Sequence, residues 1–126
     1  MTKFEGIRSP QGLKVRVVTD GKKRSLPLRL KWRDHSPTGF ECGYGGSGPA
    51  QLALAMLGEI VPQAEALEWY QRFKSRVIAA LPSDKSWVMN KEDVIRIFRM
   101  LTEESDFRIS QFQEDGRIST VTLPPG

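Results

Sequence analysis

A glycine-rich turn that leads directly into an apolar segment constrains this chain more than any other feature. The turn spans residues 43–48, with the sequence Gly-Tyr-Gly-Gly-Ser-Gly, and Pro49 follows it. Pro49 suits the first turn of a helix, because its φ angle is preset and the N–H group that it lacks would have no partner there. From Ala50 to Ile60 the chain is almost wholly apolar. We therefore predict a helix over Ala50–Ile60, with Ser47 or Gly48 as its N-cap.

This helix lacks the polar stripe that a surface helix shows. Only Gln51, Gly58 and Glu59 interrupt its small and aliphatic residues, so other elements must cover it on most sides. It is also too short to cross a membrane, which requires about 20 apolar residues. We expect the helix at the centre of the core, and we expect no membrane partner.

The same turn is the candidate ligand site. N–H groups at the start of a helix have no intrahelical partner, and the positive end of the helix dipole lies behind them, so this position favours an anion. We expect Gly45, Gly46, Ser47 and Gly48 to accept a phosphate or a carboxylate. The alternative is a tight turn whose role is purely structural.

Three named motifs can be tested against this turn. The glycines at 43, 45 and 48 have the spacing of a dinucleotide-binding fingerprint, but the next segment reads as another helix instead of a parallel strand. A Walker A loop needs Gly-Lys-Ser/Thr, and Gly48 is followed by Pro49 and Ala50. A nucleophile elbow would need glycine at position 49. The sequence therefore completes none of these motifs.

Size and composition predict a single cytoplasmic domain spanning residues 1–126. Hydrophobic residues at 39% and charged residues at 27% are typical of a globular protein. Cys42 is the single cysteine and cannot form an internal disulfide, and the N-terminus does not resemble a signal peptide. We expect Cys42 to be a small buried residue. We predict no metal site and no cofactor, because His35 is the single histidine and no metal-ligand cluster is present.

Charge is unevenly distributed along the chain. Residues 1–35 carry ten Lys/Arg and three acids, a net charge of +7, while the remainder carries nine bases and twelve acids, a net charge of −3. This asymmetry indicates an anionic partner for the N-terminal half, or alternatively a solvated sheet face. Arg29, Lys31 and Arg33 can supply charge to the ligand site if they lie on the same side as the glycine turn.

The N-terminal segments read as β-structure. Phe4–Ile7 is a short candidate edge strand, and Leu13–Thr19 has a good strand composition. Asp20-Gly21 is a turn signal, and Lys22–Arg24 extends that turn. Residues 26–32 alternate between apolar and basic side chains, which predicts a half-buried strand and a hairpin with a basic outer surface. His35 is expected to be exposed or capping, and Phe40–Cys42 is a candidate third strand.

The C-terminal half reads as mainly helical. A second helix is predicted over Pro62–Leu81, with an apolar stripe at helical spacing. A loop anchored by Trp87 follows, over Ser83–Met89, and a third helix runs from the N-cap Asn90 to about Glu104. Residues 105–126 form either a hairpin around Asp115-Gly116 or a loose tail, and Pro124-Pro125-Gly126 is expected to fray. The apolar stripe of the second helix comprises Ala66, Leu67, Tyr70, Phe73, Val77, Ile78 and Leu81.

These elements define an α+β fold. An N-terminal antiparallel sheet, made of a hairpin and short strands, is expected to pack on about three helices, with the helix after the glycine turn in the middle.

Three stretches together resemble a known family. They are Ser36–Glu41, the run Gly43–Leu54 with its Gly-Tyr-Gly-Gly-Ser-Gly-Pro-Ala-Gln-Leu-Ala-Leu core, and Tyr70–Pro82 with Phe-Lys-Ser-Arg-Val-Ile-Ala-Ala-Leu-Pro. Over about residues 4–100 the chain is similar to a small uncharacterised bacterial and phage domain family. The resemblance implies an aromatic residue at position 42, where this chain has Cys42. It implies no activity, but an origin in phages or mobile elements, whose small domains bind host proteins, nucleic acids or signalling nucleotides.

Two functions follow from these observations. The first is a non-enzymatic binding module whose glycine turn holds a phosphate-bearing ligand, such as a nucleotide or nucleic acid. The alternative is a protein-interaction domain, for example an inhibitor of a host or defence enzyme, with an exposed patch around Trp32, Trp69 or Trp87. An enzyme would need an acyl-transfer site made from Ser47, His35 and a carboxylate such as Asp34 or Glu41. No spacing supports that site, so we predict no catalytic residue.

Overall fold

The computed structural model of the chain describes residues 1–124, and its N-terminal part is an antiparallel sheet. The strands are β1 (Thr2–Ser9), β2 (Gly12–Thr19), β3 (Lys22–Ser25) and β4 (Trp87–Asn90), in the spatial order β3-β2-β1-β4. The α+β class predicted from the sequence is confirmed. The Asp20-Gly21 turn is confirmed as well, because both residues have left-handed φ angles, 49° and 82°, as a tight hairpin turn requires.

The prediction that Phe4–Ile7 forms an edge strand is wrong. β1 lies inside the sheet, between β2 and β4, and Phe4 pairs with Val17 on one side and with Met89 on the other. Part of the expected Ser83–Met89 loop is therefore strand. β4 is only four residues long, and its pattern is too short to recognise without its partner.

The predicted strand over residues 26–32 is also wrong, and the third strand lies earlier, at Lys22–Ser25. The Leu26 N–H still donates to the Val15 carbonyl at 3.0 Å, but Pro27 has no N–H with which to continue the ladder. Arg29 then adopts a left-handed φ of 62°, which turns the chain. Of the candidate strand at residues 40–42, only an isolated bridge from Phe40 to Leu13 is present.

Three helices follow, α1 (Ser47–Leu57), α2 (Gln63–Arg76) and α3 (Lys91–Thr102). α1 starts and ends three residues earlier than predicted. Its N-cap is Gly46, so neither Ser47 nor Gly48 is the cap, and no side chain caps this end. α2 ends before Val77 (φ −117°), and a short 3₁₀ turn at residues 78–80 replaces its predicted last turn. Asn90 is the N-cap residue of α3, as predicted, although its side chain makes no capping hydrogen bond.

The core forms between the helices and the inner face of the sheet. Every residue of α1 from Gly48 to Leu57 is buried, which confirms the central helix. Phe4, Val15 and Val17 of the sheet belong to the same apolar cluster. The stripe of α2 is buried except for Leu67, which is partly covered.

The C-terminal residues form a second, two-stranded sheet, made of β5 (Phe107–Phe112) and β6 (Ile118–Thr122). It is not an extension of the main sheet, but the Asn90 N–H donates to the Gly116 carbonyl at 2.7 Å and joins the two. Phe107 and Ile118 are buried in the core. Pro125 and Gly126, part of the end that was expected to fray, lie outside the described residues.

Candidate functional site

The glycine turn reaches the protein surface at the start of α1. Gly45 and Ser47 are exposed, and the ring of Tyr44 is 51% exposed, whereas Gly48 is buried. The turn therefore has a side that solvent reaches and a side that packs on the protein.

Two of the four glycines at 43, 45, 46 and 48 are required by packing, Gly43 and Gly48, whereas a Cβ at Gly46 would meet only the movable ring of the exposed Tyr44. Gly43 has a left-handed φ of 86°, and a Cβ there would lie 2.6 Å from the Cβ of Ser83. A Cβ at Gly48 would lie 2.6 Å from the Cβ of Glu41, and one at Gly46 would lie 2.6 Å from the Tyr44 ring. Gly45 differs, because no heavy atom lies within 4 Å of its Cβ position and its φ is not left-handed. The fold does not explain glycine at position 45.

Four backbone amides of the turn, those of residues 45–48, have no partners among residues 1–124. The Gly43 N–H donates to the Ile78 carbonyl at 3.0 Å, and the Ala50 N–H donates to Gly46 at 2.9 Å. Between them, the N–H groups of residues 45–48 make no hydrogen bond with any described group, and neither does the Ser47 hydroxyl. These amides stand at the positive end of the α1 dipole, which is the geometry that favours an anion.

An ion pair lies beside the start of α1. The Arg8 guanidinium donates to both carboxylate oxygens of Glu41, at 3.0 and 2.8 Å. The hydrogen bonds from Arg8 hold the pKa of Glu41 below its usual value, although partial burial opposes this. Because the two charges compensate each other, the pair adds no net charge next to the free amides.

Cys42 lies beneath this pair and is 1% exposed. Its thiol donates to the Pro82 carbonyl at 3.4 Å, and the Arg8 guanidinium lies 3.7 Å from the sulfur. Burial raises the pKa of the Cys42 thiol, and the nearby Trp87 indole N–H and Arg8 offset only part of that effect. The Trp87 N–H itself has no hydrogen bond of normal geometry to any described residue. A buried neutral thiol is a poor nucleophile, as the sequence led us to expect.

The structure does not bring the three predicted basic residues together at the turn. Arg29 lies at the opposite end of α1, where its guanidinium donates to the Gly58 carbonyl at 3.4 Å and to Glu59 at 2.8 Å. The Arg33 carbonyl accepts a hydrogen bond from Gln51, one turn along the helix, and the side chains of Lys31 and Arg33 are exposed without ion pairs among the described residues. The turn and Arg29 are separated by the length of α1.

Ion pairs also reduce the basic character of the N-terminal half. Four of its five arginines bind carboxylates, two of them on Glu59. Burial raises the pKa of Glu59, but the hydrogen bonds from Arg24 and Arg29 outweigh it, and the pKa lies below its usual value. The cations of residues 1–35 without ion pairs in the described part are Lys3, Lys14, Lys22, Lys23, Lys31 and Arg33.

Gln51 is a key residue that the sequence interpretation passed over. It is fully buried in α1, and its side chain makes four hydrogen bonds to the loop that precedes the glycine turn. The amide group donates to the carbonyls of Leu28 (2.6 Å) and Arg33 (3.0 Å). The amide oxygen accepts from the N–H groups of His35 (2.8 Å) and Ser36 (3.0 Å). The sequence did contain a signal for this role, because Gln51 is a polar residue within an otherwise apolar stretch.

The residues of the hypothetical acyl-transfer site do not form a relay. His35 is half-buried, and its Nε2 atom is 2.7 Å from the Tyr70 hydroxyl. Glu41 is held by Arg8, and Ser47 has no side-chain partner among residues 1–124. His35 therefore supports the fold instead of a nucleophile.

Within residues 1–124 no group of three or more His, Cys, Asp or Glu side chains is placed to hold a metal ion. No helix in the same part of the chain combines the length and the apolar character that a membrane span requires.

Fold and site together define a small α+β domain with a buried central helix and an exposed, amide-lined turn at its start. The chain belongs to a family of unknown function, DUF6166, whose pattern matches residues 4–100. The match includes the sheet, the glycine turn and most of α3, and the hairpin β5–β6 lies beyond it. No curated protein matches the chain, and no solved structure does.

Proposed function

We propose that this protein is a non-enzymatic binding module, of phage or mobile-element type, whose glycine turn holds a phosphate-bearing ligand such as a nucleotide or nucleic acid. The observation that carries the proposal is Gly45. The fold does not need glycine there, and the amides that follow it along the chain, up to Gly48, bind no described group. A ligand that approaches these amides would explain why position 45 has no side chain.

The surroundings of the turn support a small anionic group. The amides of Gly45, Gly46, Ser47 and Gly48 and the Ser47 hydroxyl offer several donors, and the helix dipole adds a positive potential. Tyr44 presents a half-exposed ring next to them, against which a planar base can stack. Since Arg29 binds Glu59 at the other end of α1, it is not part of this site, and Lys31 and Arg33 act at most over a distance. The free buried thiol of Cys42 suits the reducing cytoplasm in which we place the protein.

The test is a thermal-shift series with phosphate, sulfate, mono-, di- and cyclic nucleotides, and short DNA and RNA, at low and moderate salt. A ligand at 100 times its Kd stabilises the folded state by about 2.7 kcal/mol, which is readily measured as a rise in Tm. Gly45→Asp adds a negative charge to the turn at a position where an added Cβ meets open space, and it should abolish the rise. Gly45→Asn is the matched neutral control and should keep most of it, while Ser47→Ala should reduce it.

The alternative function, a protein-interaction domain such as an inhibitor of a host or defence enzyme, is favoured by the other three glycines. Gly43 and Gly48 have packing reasons, and Gly46 lies against the Tyr44 ring, as a purely structural turn allows. The exposed patch expected for this alternative is not centred on Trp87, which is buried, and Trp32 and Trp69 are only partly exposed, each with an arginine over its ring. A flat thermal response to every ligand, or an equal rise in wild type and Gly45→Asp, would reject the anion site and leave this alternative.

A further inference from the structure

A cleft of about 570 Å³ opens between the outer face of the main sheet and the C-terminal hairpin. Its volume lies in the range of small-ligand sites, roughly 300–1,000 Å³. One wall is formed by the edge strand β4 and by outward residues of β1 and β2, and the other wall by residues 110–114 of the hairpin. The glycine turn does not contribute to it.

Two hydrogen bonds establish which backbone groups of β4 are free. The Arg8 N–H donates to the Ser86 Oγ atom at 3.0 Å, so the even-numbered residues of β1 point their peptide groups towards β4. The Asn90 N–H donates away from β1, to Gly116. In an antiparallel pair the bonding direction alternates along each strand, so Val88 also points its N–H and C=O away from β1. Neither group of Val88 has a hydrogen-bond partner among the described residues.

Val88 lines the cleft, and its donor and acceptor, unpaired among the described residues, lie on the edge of β4 that faces away from β1. Apolar side chains stand on both walls. Ile7 is 36% exposed on the sheet side, and Phe112 is half-buried on the hairpin side. Unpaired backbone groups of a sheet edge flanked by apolar contacts are what an extended polypeptide uses when it adds a strand.

Charge selects among the possible occupants of the cleft. Arg16 binds Glu5 at 2.7 Å, while Lys85 and Glu114, on opposite walls, form no ion pair within residues 1–124. A polyanion would meet the carboxylate of Glu114, which is unpaired in that part of the chain, while Glu5 is neutralised by Arg16. A peptide with charges of both signs complements Lys85 and Glu114 at once.

We propose that the cleft binds an extended peptide that carries both charge signs, pairs its backbone with Val88 and lays an apolar side chain between Ile7 and Phe112. This site is separate from the glycine turn, and either site can be present without the other.

The experiment uses the intact ¹⁵N-labelled protein and synthetic heptapeptides chosen from a random displayed library by selection on the same protein. At saturation the Val88 amide should exchange with solvent about tenfold more slowly, because it gains a hydrogen bond. Val88→Pro removes that N–H and should raise the Kd about tenfold, whereas Val88→Thr keeps the N–H and should change it less than about threefold. Proline is tolerated on edge strands, so the variant is expected to fold.

A second variant keeps the test decisive if Val88→Pro does not fold. Ile7→Lys changes an exposed side chain and should weaken the peptide at least about fivefold, while Gly45→Asp should leave the peptide affinity unchanged. The inference is overturned if no selected peptide binds with a Kd below about 1 mM. It is also overturned if Ile7→Lys binds like wild type, or if a short oligonucleotide shifts the Val88 amide more strongly than any peptide does.

Discussion

Two loops contact helix α1, and they differ in whether their backbone polar groups are hydrogen-bonded within the protein. In the loop of residues 28–36, two carbonyls and two N–H groups bind the side chain of Gln51, which thereby uses its full hydrogen-bonding capacity. In the glycine turn, four successive N–H groups at residues 45–48 bind nothing within residues 1–124. The four backbone groups of the first loop therefore find their hydrogen-bond partners within the protein.

This difference separates architecture from a candidate site. Buried backbone groups are almost always paired in native proteins, and the Gln51 loop follows that rule. The glycine turn instead leaves its donors unpaired among the described residues, and two of the residues that carry them, Gly45 and Ser47, are exposed, so a ligand or water can reach them. Substitutions in the first loop should therefore change stability, and substitutions at Gly45 should change binding.

The largest effect is expected from Gln51→Leu. It keeps the helix and its volume, but leaves the carbonyls of Leu28 and Arg33 and the N–H groups of His35 and Ser36 without a partner. We expect a loss of about 3–5 kcal/mol in the free energy of unfolding, measured with urea. Gln51→Glu is the matched control, since its oxygen can still accept while its donors are lost. A loss below about 1 kcal/mol in Gln51→Leu would mean that water replaces the side chain.

A smaller effect on stability should distinguish two glycines of the turn, Gly43 and Gly45. Gly43→Ala forces a methyl group against Ser83 in a left-handed conformation, and should cost about 2–3 kcal/mol of stability. Gly45→Ala meets open space and should stay within about 0.5 kcal/mol of wild type. Both variants are compared by urea unfolding without ligand. Equal costs for the two would remove the distinction between packed and open glycines.

The ion pair beside the turn should contribute about 1 kcal/mol, a modest value because Glu41 is one-third exposed and solvent screens it. Arg8 lowers the pKa of Glu41, so this contribution is complete above the ordinary glutamate pKa of 4.5 and is lost as the pH falls below that value. Glu41→Gln should lack this part of the acid destabilisation. Urea unfolding of both proteins from pH 7 to pH 3 measures it, and parallel curves would contradict it.

The smallest effect concerns the basic residues and the ligand response. α1 has 11 residues and is about 16 Å long, so Arg29 lies well away from the turn. Arg29→Ala should leave the ligand-induced rise in Tm unchanged within about 1 °C, after correction for its own lower stability. If Arg29→Ala removed the rise, the ligand would bind at the far end of α1.

Local signals in the sequence were sufficient for much of the fold. The Asp20-Gly21 turn, the apolar character of α1 and the stripe of α2 each depend on neighbouring residues, and the structure confirms them. The prediction for residues 26–32 was wrong because their apolar and basic side chains alternate as they would in a strand. What prevents a strand there is Pro27 together with Gln51, a partner more than 20 residues along the chain.

Long-range pairing explains the other errors. β3 has four exposed residues and no apolar alternation, and β4 is recognised only beside β1. The predicted position of the cations followed from the mistaken strand. A strand over residues 26–32, with its side chains alternating between two faces, would have placed Arg29, Lys31 and Arg33 on one face. The glycine turn itself was correctly located, because its residues form a continuous stretch. Its exposure could not be inferred without knowing where Ser83 and Glu41 pack.

The central position of β1 has a consequence for synthesis of the protein. β1 is made before β2 and β4, but its second neighbour is β4, and the pair Phe4–Met89 is separated by 85 residues. At about 5–20 residues per second, the ribosome needs roughly 4–17 seconds to supply that neighbour. During this interval the hairpin of β1 and β2 can form, while the other side of β1 has nothing to bind. The nascent chain therefore carries an open strand edge until the residues of β4 have been made.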